Sequence, residues 1–413
     1  VGPGGIGKTR LAWEAAEQAR GRALADLLVA AGERRLSPRE RAVEDSMRRV
    51  LGDLERELSA YAEAAESDTS LALGRRLEET RNRLLAAEAE WSAFGEALRR
   101  KYPTSEGGAL PIGEVASGIG AGSAIIGWIN LEAPGGVVRS WGYVLRPDGS
   151  VSWAELEAPR SPGRWGRRAA RFRRDLSSGV DAPRLGVLRD GRTFWRRHLE
   201  PLAPFLDGID RLIVVPSGTM LGIPVEALAD ESWTLLSDTY AVSYLPSATV
   251  AAWLSSRGVP AEAADPPSAL LLGDPPFVAY PPLPASRDEV ASIAGMLGEA
   301  AVLLGEEASE QRISALADAG GLAGFDVVHL ATHALVDDER PDRSALVLAQ
   351  TGLPDRLESI MRGERVYDGL VTAGEIVREW DLGADLVSLS ACETGLGRRI
   401  AGEGYVGFAH AFL

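Results

Sequence analysis

Short apolar runs that stop at Gly, Pro or Ser recur through the second half of the sequence, and they constrain the fold more than any other feature. They open or occupy RLIVVPSGTMLGIPVEAL (211–228), AVSYLPSATVAAWL (241–254), SALLLGDPP (268–276), DVVHLATHA (326–334) and ADLVSLSAC (384–392). Such runs are long enough for buried strands and too short for helices. Helical patterns, such as 286–297 and 308–318, lie between them. Strands alternating with helices imply a largely parallel sheet with helices on both faces. Functional groups in such sheets gather at the carboxyl ends of the strands. The expected fold class is therefore α/β.

The first hundred residues follow another rule. From about Leu11 to Arg100 the pattern is helical: Leu51, Leu54, Leu58 and Tyr61 recur at steps of three and four, as do Leu77, Thr80, Leu84, Ala87, Trp91, Phe94 and Leu98. ESDTS (66–70) separates the two runs, which predicts an antiparallel helical hairpin with its apolar stripes facing inward and its Arg and Glu on a solvated face. No 34-residue tetratricopeptide repeat is visible within it. After YPTSEGG (102–108) the composition turns to strands. SAIIGWINL (123–131) precedes VVRSWGYVLRPDGSVSWAEL (137–156), whose PDGS signals a hairpin turn, and Arg-rich helices follow near 160–175 and 190–203.

Charge narrows the function. The formal net charge is −15, which argues against nucleic acid as the main partner, since phosphate binding needs clustered Lys and Arg. One cysteine in 413 residues excludes a disulfide framework and a Cys-rich zinc site, and fits a reducing, cytoplasmic setting. No apolar run reaches the ~20 residues of a membrane span, so no membrane partner is expected. No metal or cofactor is expected either.

Gly2 to Thr9 satisfy the P-loop pattern G-x-x-x-x-G-K-[ST]. A working P-loop also needs a preceding strand and an acidic strand end for magnesium, and neither is legible. Residues 1–10 are read as a P-loop-like remnant of a neighbouring module, with a P-loop NTPase as the alternative.

Two of the apolar runs end in reactive side chains. His333 closes VVHLATH, and Cys392 closes LVSLSAC 59 residues later. The strand SALVLAQ (344–350) and the helix LVTAGEIVREW (370–380) between them allow a right-handed crossover that makes the two strands near neighbours. A histidine beside a cysteine yields a thiolate near neutral pH, and its imidazolium can protonate a leaving amine. Caspases carry their His about 50 residues upstream of the Cys, in the same order. The bland alternatives are a buried, inert thiol and a core histidine. His329, four residues before His333 in what reads as one strand, is expected on the same face, as second shell, pocket or structure. His198 is expected on a surface helix. TGLPDRLESIMRGERVYDG (351–369) is expected to be a mobile loop beside the site.

VVHLATHALVDDERPDRSALVLA and DLVSLSACETGLGRRIAGEGYVGFAHAFL resemble the two catalytic segments of the CHAT domain family, caspase-like cysteine peptidases often attached to tetratricopeptide repeats. RLIVVPSGTMLGIPVEAL, LSDTYAVSYLPSAT, LLLGDPP, LPASRDEV and YDGLVTAGEI agree with it in order. The resemblance spans roughly residues 105 to 413. It implies a caspase-like, mostly parallel sheet preceded by a helical hairpin at 11–104, with a pseudo-symmetric half at 105–265 and a catalytic half at 266–413. It further implies Cys392 as nucleophile and His333 as base, with the oxyanion held by the backbone N–H groups of Ala334 and Cys392. Ser390 stands where related metacaspases have an Asp that helps select basic P1 residues, and Glu393, directly after the nucleophile, is expected to line the pocket or support the residues that do. Asp274 becomes a family position and not a magnesium ligand. The family continues beyond GFAHAFL with more core, so the domain is expected to extend past Leu413, with a final helix starting near Gly404. The implied function is a cysteine endopeptidase within a larger regulatory or signalling protein, acting on a protein or peptide and switched by a protein partner or attached sensor repeats. A catalytically silent CHAT scaffold is the alternative.

Overall fold

The computed structural model describes residues 13–15, 17, 37–67, 70–101, 110–133, 136–159, 162–177, 184–256, 267–297, 299–337, 343–391, 398–400, 404–406 and 408–412. Gly2 to Thr9, Cys392 and Glu393 lie outside the described residues.

The N-terminal hairpin consists of α1 (Pro38–Ser67) and α2 (Leu71–Lys101). Ser37 starts α1 with a capping box: its Oγ accepts from Glu40 N at 3.3 Å, and Glu40 Oε2 accepts from Ser37 N at 2.9 Å. Leu51 and Leu54 of α1 pack on Leu84 of α2, as the stripes predict. The charges do not all face water, however. Arg56 and Glu44 are buried, because one side of α1 packs against a later helix of the same compact unit.

The chain divides into two compact units, each assembled from separate stretches. In one, α3 (Ile112–Ser117) leads into the antiparallel strands β1 (Ser123–Ala133), β2 (Gly136–Leu145) and β3 (Val151–Leu156), as the sequence predicts. Helices α4 (Pro162–Ser177) and α5 (Arg184–His198) follow, then β4 (Arg211–Val215), β5 (Ala241–Tyr244) and α6 (Ala248–Ser256). β4 and β5 extend the sheet in parallel, in the order β3-β2-β1-β4-β5. Alternation sorts β1 by face. Ala124, Ile126 and Trp128 meet Phe172 and Phe194 of α4 and α5, while Ile125 meets Trp13, Val115 and Ala251. Glu17 is buried, and its carboxylate accepts from the amides of Ala248 (2.8 Å) and Thr249 (3.3 Å) at the start of α6. His198 is not on a solvated surface. It is fully buried, stacked 4.9 Å from Trp165, with Nε2 2.9 Å from Thr219 Oγ1. Burial, followed by the charge of Arg197, lowers its pKa to about 3, so it stays neutral.

The hairpin belongs to the other unit. That unit contains β6 (Ser268–Gly273), α7 (Pro284–Met296), β7 (Glu299–Leu304), α8 (Glu310–Asp318), β8 (Val327–Ala331), β9 (His333–Leu335), β10 (Ala345–Val347), α9 (Arg356–Arg362), β11 (Leu370–Thr372), α10 (Ala373–Glu379) and β12 (Leu386–Ser390). β12-β8-β6-β7 form an all-parallel sheet. β6 and β8 are covered on both faces, which explains their continuous apolar sequence: Leu270, Leu272, Val328 and Leu330 join one cluster, Ala269, Leu271 and Ala331 another. The fold is thus α/β with a mostly parallel sheet between helices, as expected.

SALVLAQ forms a strand, as read; its core is β10, the middle strand of a separate antiparallel sheet ordered β11-β10-β9. Two details differ from the sequence reading. The stretch 351–369 is not a plain loop. It contains α9, whose first turn is capped by Asp355 accepting from Glu358 N at 2.8 Å and whose end is turned by Gly363 at φ 67°. The C-terminal helix spans Phe408–Phe412, with a short strand, Gly404–Val406, where the helix was expected to begin.

Candidate active site

β8 and β12 are hydrogen-bonded parallel neighbours, in a register that aligns Val327 with Leu386 and Ala331 with Ser390. The two strands are the near neighbours that the sequence predicts, and their carboxyl ends lie side by side. Ser390, exposed, is the last residue of β12, two positions before Cys392.

His333 does not close β8. The strand breaks at Thr332, which is buried and donates its hydroxyl to the carbonyl of Val347, and His333 opens β9 in the antiparallel sheet. The break also cancels the expected same-face relation of His329 and His333. His329 stays inside the parallel sheet, 4% exposed, with Nδ1 3.0 Å from Ser388 Oγ and Nε2 3.2 Å from Glu289 Oε1 on α7. It joins β8 to β12 through Ser388 from the middle of a strand, with the Glu289 carboxylate of α7 beside its other nitrogen.

The half-buried His333 ring is held by the segment after β6. Its Nε2–H donates to the carbonyl oxygen of Pro281 at 2.8 Å; a carbonyl only accepts, so this nitrogen carries the proton in the neutral ring. Phe277 and Tyr280 flank the imidazole at ring-centroid distances of 4.7 and 5.5 Å. The segment is itself pinned, with Gln350 N donating to Pro276 O at 2.9 Å and Val278 N to Gln350 Oε1 at 3.1 Å. At its start Asp274 adopts a left-handed φ of 50°, and its carboxylate accepts from Arg287 Nε at 2.8 Å. Nδ1 of His333 is thus the ring nitrogen that carries the lone pair in the neutral form.

The ladder also orients Ala334. Leu348 N donates to Gly369 O and Ala373 N to Ser344 O, which turns the even-numbered residues of β10 toward β11. Ala345 and Val347 then turn toward Leu335 and His333 of β9, and Ala334 between them directs its N–H away from β10. The Ala334 amide therefore faces outward, one residue after the imidazole.

The sequence profile of the CHAT domain family matches residues 188–413. The chain belongs to the CHAT domain family. No curated protein matches it. CHAT domains are caspase-like, peptidase-related modules, and in this one the matched region contains His333, Ala334, Ser390 and Cys392. The residues that sequence reasoning missed are Pro281, Phe277, Tyr280 and Thr332. The aromatic and proline content of PPFVAYPPLP directly after a strand end was the available signal for the first three. Among the described residues no cluster of His, Cys, Asp and Glu could hold a metal ion, and no helix is long and apolar enough to cross a membrane.

Proposed function

We propose that this CHAT domain is a cysteine endopeptidase in which Cys392 attacks the scissile carbonyl and His333 is the base. The observation that carries the reading is the hydrogen bond from His333 Nε2–H to Pro281 O, because it fixes the ring's tautomer and orientation as the third group of a triad does. In the proposed reaction His333 Nδ1 takes the thiol proton, and the Cys392 sulfur forms a bond to the substrate carbonyl carbon. The N–H groups of Ala334 and Cys392 stabilise the oxyanion. The imidazolium returns the proton to the leaving amine, and water, activated by the same imidazole, releases the acyl group and regenerates the thiol. Ser390 at the end of β12 lines the entrance for the P1 side chain; a serine there offers hydrogen bonds without selecting a basic residue by charge.

The module acts on a protein or peptide in the cytoplasm and serves a larger regulatory protein, switched by a partner or by attached sensor repeats. A library of peptides with varied P1 residues tests the reading, incubated with the protein and its Cys392→Ala variant. Cleavage by the parent and none by a folded Cys392→Ala variant is expected. Equal cleavage by both would leave the catalytically silent scaffold as the better description.

A further inference from the structure

Arg56 sits mid-helix on α1, yet only 6% of it is exposed. Nη1 donates to Glu375 Oε1 at 2.7 Å and to Glu379 Oε1 at 3.1 Å, both on α10, and Nη2 donates to Asp53 Oδ1 at 2.9 Å. Burial works against the cation, but Glu379 and Glu375 outweigh it and hold its pKa above the ordinary arginine value. Three further ties run from the same face of α1. Glu55 accepts from Arg378 Nη2 of α10 at 2.6 Å. Arg48 donates to the carbonyl of Arg378 at 3.3 Å, in the last turn of α10, where carbonyls have no helical partner. Glu63 accepts from Arg356 of α9. The helices meet closely enough that a Cβ on Gly52 would lie 2.9 Å from Glu379 Oε1.

The two ends of α10 lead to the two halves of the candidate site. At its start, Glu375 Oε2 accepts from the amide (2.8 Å) and hydroxyl (2.9 Å) of Thr372, the last residue of β11, in the sheet that holds His333. At its end, residues 380–385 lead into β12 and toward Cys392. One carboxylate of Glu375 therefore serves both the helix cap and Arg56.

We infer that Arg56 is a positioning residue: by clasping Glu375 and Glu379 it fixes α10, so the helical hairpin sets the relative placement of the β12 end and the His333 sheet. The inference rests on the peptidase reading for its consequence in catalysis, though not for its geometry. A buried ion cluster is weak evidence of added stability, and fixing one arrangement is the role assigned to this one.

The test uses the full chain with Arg56→Met, Arg56→Lys and, as control, Arg83→Met, which removes an exposed α2 cation paired with Glu57 at 3.3 Å. Hydrogen exchange is followed across 373–390, and iodoacetamide alkylation is followed by mass; with one cysteine in the chain, the label reports Cys392 alone. Arg56→Met is expected to raise exchange in 373–390 by about tenfold and to change the alkylation rate by about threefold. Arg56→Lys should recover part of the protection, because an ammonium meets one carboxylate but lacks the planar fork. Arg83→Met should change neither readout. If Arg56→Met fails to fold because Glu375 is left buried without a cation, Arg56→Met/Glu375→Gln removes that charge and keeps the cap, since Gln serves in a capping box. A folded variant of either kind with parental exchange and alkylation overturns the inference. A parent that cleaves no peptide and alkylates like an ordinary thiol would defeat the peptidase reading, while exchange across 373–390 would still decide for or against the clasp.

Discussion

The imidazole of His333 and the backbone carbonyl of Pro281 are joined by a 2.8 Å hydrogen bond, although 52 residues separate them. A carbonyl held in a pinned loop fixes the ring of the proposed base without itself being a titrating group. No carboxylate is then needed to orient the ring.

Alkylation of Cys392 at neutral pH should slow by about tenfold or more in His333→Ala, because the thiolate loses its cationic partner. Circular dichroism should stay parental, since His333 is only half-buried. Unchanged alkylation in the folded variant would remove His333 from the dyad.

Thr332→Val tests the corner between the two sheets. Thr332 is 1% exposed and donates to Val347 O, and valine keeps its shape while deleting the hydroxyl. Denaturant melts should show a loss of about 1–2 kcal/mol, with the Val347 carbonyl deprived of that donor. A parental midpoint would mean that the hydroxyl does not hold the corner.

Glu310 makes the stability of its unit depend on pH. Burial, then the neighbouring Asp368 and Glu375, raise its pKa from 4.5 to about 8, although its carboxylate accepts from the amides of Asp368 and Gly369. Between these values the folded chain holds a proton that the unfolded chain has released. The contribution is therefore complete below about 4.5 and is lost as pH rises through about 8. Glu310→Gln should lie within about 1 kcal/mol of parental near pH 5 and be more stable by about 4 kcal/mol near pH 8.5. Parallel melts at the two pH values measure it, and an equal shift at both would refute the assignment.

Two glycines in the hairpin should respond oppositely to alanine. At Gly74 of α2 a Cβ meets nothing within 4 Å, so Gly74→Ala should stabilise by about 0.5–1 kcal/mol through helix propensity alone. At Gly52 of α1 the Cβ would press on Glu379 Oε1 and on Arg56 Nη2, at 2.9 and 3.3 Å. Gly52→Ala should lower stability by about 1 kcal/mol despite the same propensity gain. Thermal melts that rise for both would show that α1 and α10 do not approach this closely.

The parallel sheet, the hairpin and the adjacency of β8 and β12 were legible because each rests on a repeating pattern along a continuous stretch. The break at Thr332 was not, since VVHLATHA stays apolar and β-prone on both sides of it, and an i, i+4 spacing on an assumed strand then put His329 and His333 on one face. The content of PPFVAYPPLP marked the segment but not its role, because the group that meets His333 is the Pro281 carbonyl, and a backbone acceptor has no side-chain signature. Arg56 looked like any exposed helix charge; its burial depends on acids 319 and 323 residues away, which no local pattern announces. His198 misled for a similar reason, its arginine neighbours in sequence facing outward while the ring turned under Trp165.

The carboxylate of Glu17 that caps α6 belongs to a residue 231 positions earlier in the chain. At ordinary translation speeds of about 5–20 residues per second, that span takes on the order of ten to fifty seconds to emerge from a ribosome. Throughout that interval the acid has no helix to cap, and Trp13 beside it lacks the surface of α6 on which it finally packs. The packing of this N-terminal stretch therefore waits for α6. A chain begun after Glu17 would present the amides of Ala248 and Thr249 with no carboxylate to receive them.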